Sequence, residues 1–286
     1  MAKNPTPSET LIAEFASYLK RKNLSPNTII AYTLSARVFY SYFDEPSVKN
    51  LHEFIHLLEH DHLPATVNQR IHAINHFLLF LEDCRAEMYP ELRKFRLPAV
   101  KIPRGSFLDY VISNEDCILL QERLKQDGQD FWYFVVRFLV TTGVRVSELT
   151  KIKVEHLSCG HLDLYSKGGK VRRIYITDSL CDEALEWCQA RGNDSGFLFS
   201  TKKDRPITTR GIHCQLKHFA ILYGIDPSTI YPHSFRHRFA KNFLDRCGDI
   251  ALLADLLGHE SVETTRIYLT RSSKEQQTLM DEIVTW

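Results

Sequence analysis

A stretch rich in proline and basic residues, from Pro90 to Gly105, interrupts the chain and most constrains how it can fold. Its prolines, at positions 90, 98 and 103, cannot continue a helix or pair within a central strand. Apolar residues also lose their regular spacing there. Because 286 residues are enough for about two domains, we predict a first domain over residues 1–90, a linker over 91–105 and a second domain over 106–286.

Before this break, apolar residues recur at the spacing of helices. In the first such stretch they are Leu11, Phe15, Tyr18 and Leu19. Ser25 followed by Pro26 is typical of a helix start, because serine caps the first turn and proline fits the first helical position. A third helix is expected over residues 50–61 and a fourth from Pro64 onward. Short-linked amphipathic helices of this kind predict a small bundle.

The second domain combines helices with a short region that has the period of strands. Residues 130–142 are strongly apolar and end at Gly143, the residue type favoured just after a helix. Residues 151–156, 161–166 and 171–177 alternate as strands do, with a Gly-Gly turn between the last two. We therefore predict a mainly α (α+β) fold: an N-terminal helical bundle and a mixed, mostly helical C-terminal domain that carries one small antiparallel sheet.

The overall composition restricts the compartment more than the activity. The first ten residues are polar, and the longest apolar run, residues 131–140, is interrupted by Arg137, so neither a signal peptide nor a membrane span is expected. The seven cysteines include no Cys-x-x-Cys pair, which argues against disulfides or a cysteine zinc site. These features predict a cytoplasmic protein. A net charge of +1 argues mildly against a nucleic-acid partner.

A histidine-rich segment, His52-Glu53-Phe54-Ile55-His56, matches the H-E-x-x-H pattern of zinc hydrolases. In a helix both histidines would share one face, and the glutamate could act as a base. This interpretation predicts an activity that chelators abolish. No third ligand follows at the usual spacing, and with 13 histidines in the chain a chance match is ordinary. A polar helix face is therefore favoured, and no metal is expected.

Five segments of the second domain carry side chains suited to binding or transferring a phosphate. In chain order they are Arg145 in Thr142-Gly143-x-Arg145-x-Ser147-Glu148-Leu149, Lys167 on the glycine turn, His233 with Arg236, Leu257-Gly258-His259, and Tyr268 nine residues later. Arginine presents a planar fork that matches phosphate oxygens, and helix starts favour anions. Each segment alone also has an ordinary interpretation, as a surface ion pair, a capped helix or a packing residue.

In this order and spacing the five segments resemble the catalytic domain of the tyrosine recombinase (phage integrase) superfamily, and most of all its compact Xer-type members. The resemblance covers roughly residues 8–272. It includes the first domain, where the segment from Leu24 to Thr28, with Tyr32, looks like the core-binding (SAM-like) domain of the family. It thus implies an N-terminal core-binding domain and a catalytic domain over residues 106–286.

The resemblance implies a site-specific DNA recombinase that cleaves and rejoins strands through a 3′-phosphotyrosine and a Holliday junction. It implies that Tyr268 attacks the phosphate, whose oxygens Arg145 and Arg236 bind. Lys167 would protonate the leaving 5′ oxygen, with Lys170 as the alternative. The remaining implied roles are acid or base for His233, a hydrogen bond to phosphate for His259, and support of Arg145 for Glu148.

The resemblance also implies the partners. No metal, ATP or other cofactor is implied, because the phosphotyrosine keeps the energy of the broken ester. The implied partners are double-stranded DNA with inverted-repeat core sites and further subunits, in a homotetramer or paired heterotetramer on synapsed DNA, and no membrane. Resolution of dimers or cointegrates and integration of a mobile element stay open as roles. The alternative is a catalytically inactive DNA-binding protein of the same fold.

The near-neutral total charge hides basic stretches, which a DNA clamp requires. Residues 92–105 carry a net +5, residues 165–175 a net +4 and residues 202–217 a net +4. We therefore predict DNA contacts from Lys101, Arg104, Lys170, Arg172, Arg173, Lys202, Lys203, Arg205 and Arg210.

The chain ends in an apolar stripe at Leu279, Ile283 and Trp286, which have the spacing of one helix face. Such a helix could fold back on its own domain. The resemblance favours docking on a neighbouring protomer.

Overall fold

The structure of the protein is a computed structural model. It describes residues 6–102, 110–165, 171–201, 205–259, 261–270 and 273–284. The chain divides into two compact units, Met1–Arg104 and Gly105–Trp286. No helix among the described residues is long and apolar enough to cross a membrane.

The first unit contains the four helices that the apolar spacing predicts. They are α1 (Pro7–Arg21), α2 (Pro26–Tyr40), α3 (Val48–Asp61) and α4 (Pro64–Arg85). Ser25 caps α2 by accepting a hydrogen bond from the Thr28 amide, and Pro26 is the first helical residue, as predicted. Phe15, Phe39 and Phe54 are fully buried where the helices meet. The core of this unit therefore forms from the predicted apolar stripes.

The segment predicted to be a linker from residue 91 onward instead continues the first unit. After a 3₁₀ turn at Pro90–Leu92, the chain lays Leu92 and Leu97 into the bundle core, at 2% and 4% exposure. The Asn75 side chain makes two hydrogen bonds to the Leu97 backbone, and Asn68 makes the same pair to Val100. Prolines exclude a helix here, but they do not prevent an extended segment from packing.

The second unit is mostly helical. Its elements are α5 (Asn114–Gln126), α6 (Asp130–Thr142), α7 (Val146–Leu149), α8 (Glu155–Cys159), β1 (His161–Tyr165), β2 (Val171–Tyr175), α9 (Asp178–Ala190), α10 (Thr209–Leu222), α11 (Pro232–Cys247), α12 (Ile250–Leu257), α13 (Val262–Thr265), a 3₁₀ helix (Arg266–Leu269) and α14 (Ser273–Ile283). The antiparallel pair β1–β2 has the register His161 opposite Tyr175. The predicted mainly α fold with one small antiparallel sheet is confirmed.

The prediction of a strand over residues 151–156 is wrong. Lys153 makes only an isolated β-bridge to Phe197, and α8 begins two residues later. The alternation of this segment reflects burial of Ile152 and Val154 against the core rather than pairing in the sheet.

Helices α6 and α11 pack against each other and bring the motif segments together. Val135, Val136 and Leu139 of α6 are fully buried in the core of the unit. The helix ends at Gly143, whose φ of 59° lies in the left-handed region that glycine adopts most easily. A Cβ on Gly143 would lie 2.4 Å from Cδ1 of Phe239 in α11. Glycine therefore both turns the chain and permits the close approach of α11.

Candidate active site

Arg145 follows the turn at Gly143 and caps the start of α7. Its guanidinium Nη1 donates to Glu148 Oε1 at 3.0 Å, and its backbone amide donates to Oε2 at 2.8 Å. Its Nη2 makes only a long contact of 3.5 Å to the Gly258 carbonyl, and the side chain keeps 36% of its surface exposed, so it can meet a ligand. The i,i+3 pair that the sequence indicates is therefore formed, and it orients Arg145 rather than neutralising a surface.

Glu148 is the centre of this network. Besides the two bonds from Arg145, its carboxylate accepts from Nη1 of Arg172 at 2.9 Å on both oxygens. Burial opposes the charged carboxylate, but Arg172, the amide of residue 145 and the Arg145 guanidinium outweigh it and lower the pKa of Glu148. Glu148 is thus a stable anion between two arginines, which suits a supporting role rather than proton transfer.

Arg236 is the most deeply buried charge of the site, at 2% exposure. Its Nη1 donates to the Gly143 carbonyl at 2.8 Å, and its Nη2 donates to the Leu257 carbonyl at 2.6 Å. Burial, with the nearby Arg145, lowers the pKa of Arg236 to about 10, so it remains charged at neutral pH. The two carbonyls close the ends of α6 and α12, so one guanidinium aligns both helix termini.

His233 lies one turn before Arg236, in the first turn of α11 after Pro232. Burial of the imidazole, together with the nearby charges of Arg236 and Arg145, lowers the pKa of His233. The imidazole is therefore neutral at pH 7 and can accept a proton.

His259 follows the end of α12 at Gly258, which has a φ of 65°. Its Nε2 lies 3.2 Å from Nη2 of Arg236, and its Nδ1 lies 2.8 Å from Oγ1 of the buried Thr265. Since Arg236 can only donate, Nε2 accepts and the proton is on Nδ1, which donates to Thr265. Burial and the surrounding arginines lower the pKa of His259 to about 4. The histidine is therefore neutral while Arg236 is its neighbour.

Tyr268 completes the site from the 3₁₀ helix that follows α13. It is 6% exposed and packs with Leu253 and Leu257 of α12. The His259 ring stacks on its ring, with centroids 5.9 Å apart and planes 15° apart. The conformation holds the phenol beside Arg236 and His259, the groups that the sequence places in the same motif set.

His237 matches none of the predicted catalytic positions, but it packs in this site, where its ring meets the Tyr268 ring edge-on at a centroid distance of 4.9 Å. It is four residues after His233 and therefore on the same face of α11, which is a signal that helical spacing carries. Its Nδ1 is buried and has no hydrogen-bond partner in the described part of the chain. Burial, followed by His233, Arg236 and Lys241, lowers the pKa of His237 to about 4. Tyr268 is thus enclosed by two neutral imidazoles.

The site is positively charged and shaped for an anion. Among its described residues, three guanidiniums and one carboxylate give a net charge of +2, with the histidines neutral. An exposed arginine, a buried arginine and a tyrosine hydroxyl beside one positively charged centre can bind a phosphate diester and attack it.

Arg173, one of the predicted DNA contacts, makes its ion pair outside this network. Arg173 is on β2, and its guanidinium pairs with Asp163 across the sheet at 2.7 and 2.8 Å. Lys101, Arg205 and Arg210 are exposed. Five further predicted residues, Arg104, Lys167, Lys170, Lys202 and Lys203, lie outside the described residues.

The histidine-rich segment in α3 has no ligand geometry. Nδ1 of His52 donates to the Val48 carbonyl at 2.9 Å, and its ring contacts Phe95 edge-on. Over the described ranges, no three His, Cys, Asp or Glu side chains are grouped so that they could hold a metal ion. His52, Glu53 and His56 are exposed on α3.

Comparison with known proteins relates this chain to a family. The sequence model of the phage integrase family matches residues 120–275, which include all six motif positions from 145 to 268. Tyrosine recombinase XerA of Pyrococcus furiosus is 30% identical over 272 residues, covering 92% of this chain and 90% of that protein. Tyrosine recombinase XerC of Halalkalibacterium halodurans is 28% identical over 283 residues, covering 90% of this chain and 91% of that protein.

Solved structures share the fold. The XerH site-specific recombinase bound to palindromic difH substrate superposes with a TM-score of 0.71 at 21% identity, covering 95% of this chain and 84% of that one. A lambda integrase dimer bound to a COC′ core site gives a TM-score of 0.68 at 15% identity, covering 91% and 76%. The resemblance found in the motifs is confirmed: the chain belongs to the phage integrase family of tyrosine recombinases and to its Xer type.

Proposed function

We propose that this protein is a site-specific DNA recombinase that cleaves and rejoins DNA through a 3′-phosphotyrosine and a Holliday junction. The observation that carries the proposal is the enclosure of Tyr268 by His259 and His237 beside a charge of +2 from the arginine network. The proposal gives each side chain a task that its contacts suit.

The arginines bind the scissile phosphate. Arg145 offers an exposed guanidinium whose other edge is held by Glu148, so it needs little reordering to meet a non-bridging oxygen. Arg236 is fixed by two carbonyls and donates to His259, and an incoming oxygen can take the place of that weaker contact at 3.2 Å. Two preorganised cations stabilise the additional negative charge of the pentacoordinate transition state.

Tyr268 provides the nucleophile. Its phenol oxygen forms a bond to phosphorus while the bond from phosphorus to the 5′ oxygen breaks, which leaves a 3′-phosphotyrosine and a 5′-hydroxyl. His233 accepts the phenolic proton, since its lowered pKa keeps it neutral. Lys167, which lies outside the described residues, returns a proton to the 5′ oxygen. The reverse reaction with another 5′-hydroxyl joins the strands, and neither ATP nor a metal takes part in the balance.

His259 has a separate task at the phosphate. In the described structure its Nε2 accepts from Arg236, whereas a hydrogen bond to a phosphate oxygen needs a donor. We propose that the phosphate draws a proton onto Nε2, because an anion opposes the arginines that lower the pKa of His259.

The partner in this proposal is double-stranded DNA with inverted-repeat core sites. The XerH structure is bound to palindromic difH substrate and the lambda integrase dimer to a COC′ core site, and the exposed Lys101, Arg205 and Arg210 supply cations for phosphate contacts here. Strand exchange requires two duplexes, and therefore four subunits, as a homotetramer or a paired heterotetramer. Dimer or cointegrate resolution and integration of a mobile element are the roles that this chemistry serves.

Covalent trapping on a nicked suicide substrate tests the proposal. The wild-type protein should form a covalent complex that resists denaturant, and Tyr268→Phe should bind the same DNA without forming one. DNA binding by the wild type without any covalent complex would favour the catalytically inactive alternative. A covalent complex formed by Tyr268→Phe would refute the assigned nucleophile.

A further inference from the structure

Arg172 lies inside the active site rather than on the surface of the sheet. Only 10% of its side chain is exposed, and its Nη2 is buried without a hydrogen-bond partner among the described residues. A DNA contact would need these amino groups at the surface. Its position therefore differs from the sequence prediction, because β2 turns residue 172 inward while Arg173 faces outward to Asp163.

The contacts of Arg172 join two elements that are distant in sequence. Its Nη1 donates to both oxygens of Glu148 at 2.9 Å, and its Nε donates to the Leu256 carbonyl in the last turn of α12 at 2.8 Å. Its aliphatic portion runs over Gly258, where a Cβ would lie 2.2 Å from Cδ of Arg172. One side chain thus ties β2 to Glu148 and to the end of α12.

Each element that Arg172 contacts also holds a proposed phosphate ligand. Glu148 receives both the amide and the guanidinium of Arg145, so moving Glu148 moves Arg145. The end of α12 supplies the Leu257 carbonyl to Arg236 and leads directly into His259. Arg172 thus adds a bridge between Arg145 and His259 to the two links already present, namely Arg236 from Gly143 to Leu257 and the 3.5 Å contact of Arg145 with the Gly258 carbonyl.

We propose that Arg172 is a positioning residue, which holds Arg145 through Glu148 and His259 through the end of α12 in the geometry that binds one phosphate. The inference rests on the proposed function, since it takes both groups as phosphate ligands. Arginine is required because its planar fork reaches a carbonyl and a carboxylate at once, whereas a lysine ammonium is a single point.

The test compares cleavage rates of Arg172→Gln and Arg172→Lys with the wild type, at saturating DNA, on a suicide substrate with a normal or a methylphosphonate scissile linkage. Methylphosphonate lacks the negative oxygen that Arg145 helps to neutralise, so misplacing Arg145 should matter less on it. We expect both variants to cleave the phosphate about 100-fold more slowly. Relative to wild type, the deficit on methylphosphonate should shrink to about tenfold or less.

Three controls separate the possible causes of a loss. Arg191→Gln removes an arginine that lies over the Trp187 ring, away from the site, and should cleave at the wild-type rate. Affinity for DNA, measured by titration at fixed salt, should be the same for Arg172→Gln as for wild type. Thermal unfolding confirms that each variant is folded at the assay temperature.

The outcomes separate the inference from the proposed function. Equal deficits on both linkages would overturn positioning through Arg145, and so would a wild-type rate for Arg172→Gln. Loss of DNA affinity without loss of rate at saturation would make Arg172 a DNA contact after all. If the wild-type protein itself forms no covalent complex, the proposed function fails before this inference is tested.

Discussion

Replacing Gly258 by alanine should damage both the stability and the active site, and Gly192 provides a matched control. Both glycines have a φ of 65°, but a Cβ on Gly192 meets nothing within 4 Å, whereas on Gly258 it would lie 2.2 Å from Arg172 Cδ. The conformational cost of alanine at such a φ is about 1 kcal/mol. Gly192→Ala should show only this cost, while Gly258→Ala adds about 1–3 kcal/mol for overpacking against a side chain that is held at both ends.

These costs translate into measurable changes. At about 2–4 °C per kcal/mol, Gly192→Ala should lower Tm by about 2–4 °C and Gly258→Ala by at least about twice as much. Because the displaced Arg172 releases Glu148 and the end of α12, Gly258→Ala should also slow cleavage about tenfold or more at a temperature where it is folded. Calorimetry and covalent trapping give the two values. Equal losses of Tm and equal cleavage rates for the two variants would refute the reasoning.

His237 has a pKa of about 4 when folded against an ordinary value of about 6.5, so the unfolded chain takes up its proton first as the pH falls. The free energy of unfolding should therefore decline as the pH falls from about 6.5 to about 4. In denaturant titrations across this range, His237→Phe should lose less of this free energy than the wild type, and parallel curves for the two proteins would contradict this. Arg236→Lys removes the guanidinium that donates to two buried carbonyls, so it should lower the free energy of unfolding by about 1–3 kcal/mol. It should also abolish covalent trapping, and wild-type trapping by this variant would show that Arg236 is not part of the site. Deleting Gln277–Trp286 should reduce recombination between two sites while leaving binding of a single site intact. The reason is that the exposed Met280 and Ile283 are available to a neighbouring protomer. Unchanged recombination would contradict docking between protomers.

For the C-terminal helix, the sequence predicts the helix itself and the tertiary structure determines what it contacts. The apolar stripe predicts the helix α14, and the described part confirms it. An ion pair between Glu275 and the buried Lys241, at 2.7 Å, joins this helix to its own unit, and the spacing of apolar residues does not predict it. The helix therefore contacts its own unit at its start, whereas Met280 and Ile283 are exposed, Leu279 is half-buried, and Trp286 of the predicted stripe lies outside the described residues.

The motif residues were largely recognisable from sequence, but their neighbours were not. Arg145 and Glu148 stand three apart, and His233 and Arg236 likewise, so helical geometry alone predicts that each pair shares a face. The same spacing puts His237 on the face of His233, but nothing local relates it to Tyr268, 31 positions later in the chain.

Local signals determined the helices of this protein, because capping by Ser25, proline at position 26 and left-handed glycines at 143 and 258 act within a few residues. Tertiary structure alone decided that Arg172 is buried. Its partners, Glu148 and Leu256, are 24 and 84 residues away, and they convert an arginine in a basic stretch into part of the active site. It also decided that Leu97 packs in the core despite its proline-rich surroundings. The burial of a residue depends on which distant elements pack against it, and the spacing of residues along the chain does not predict that packing.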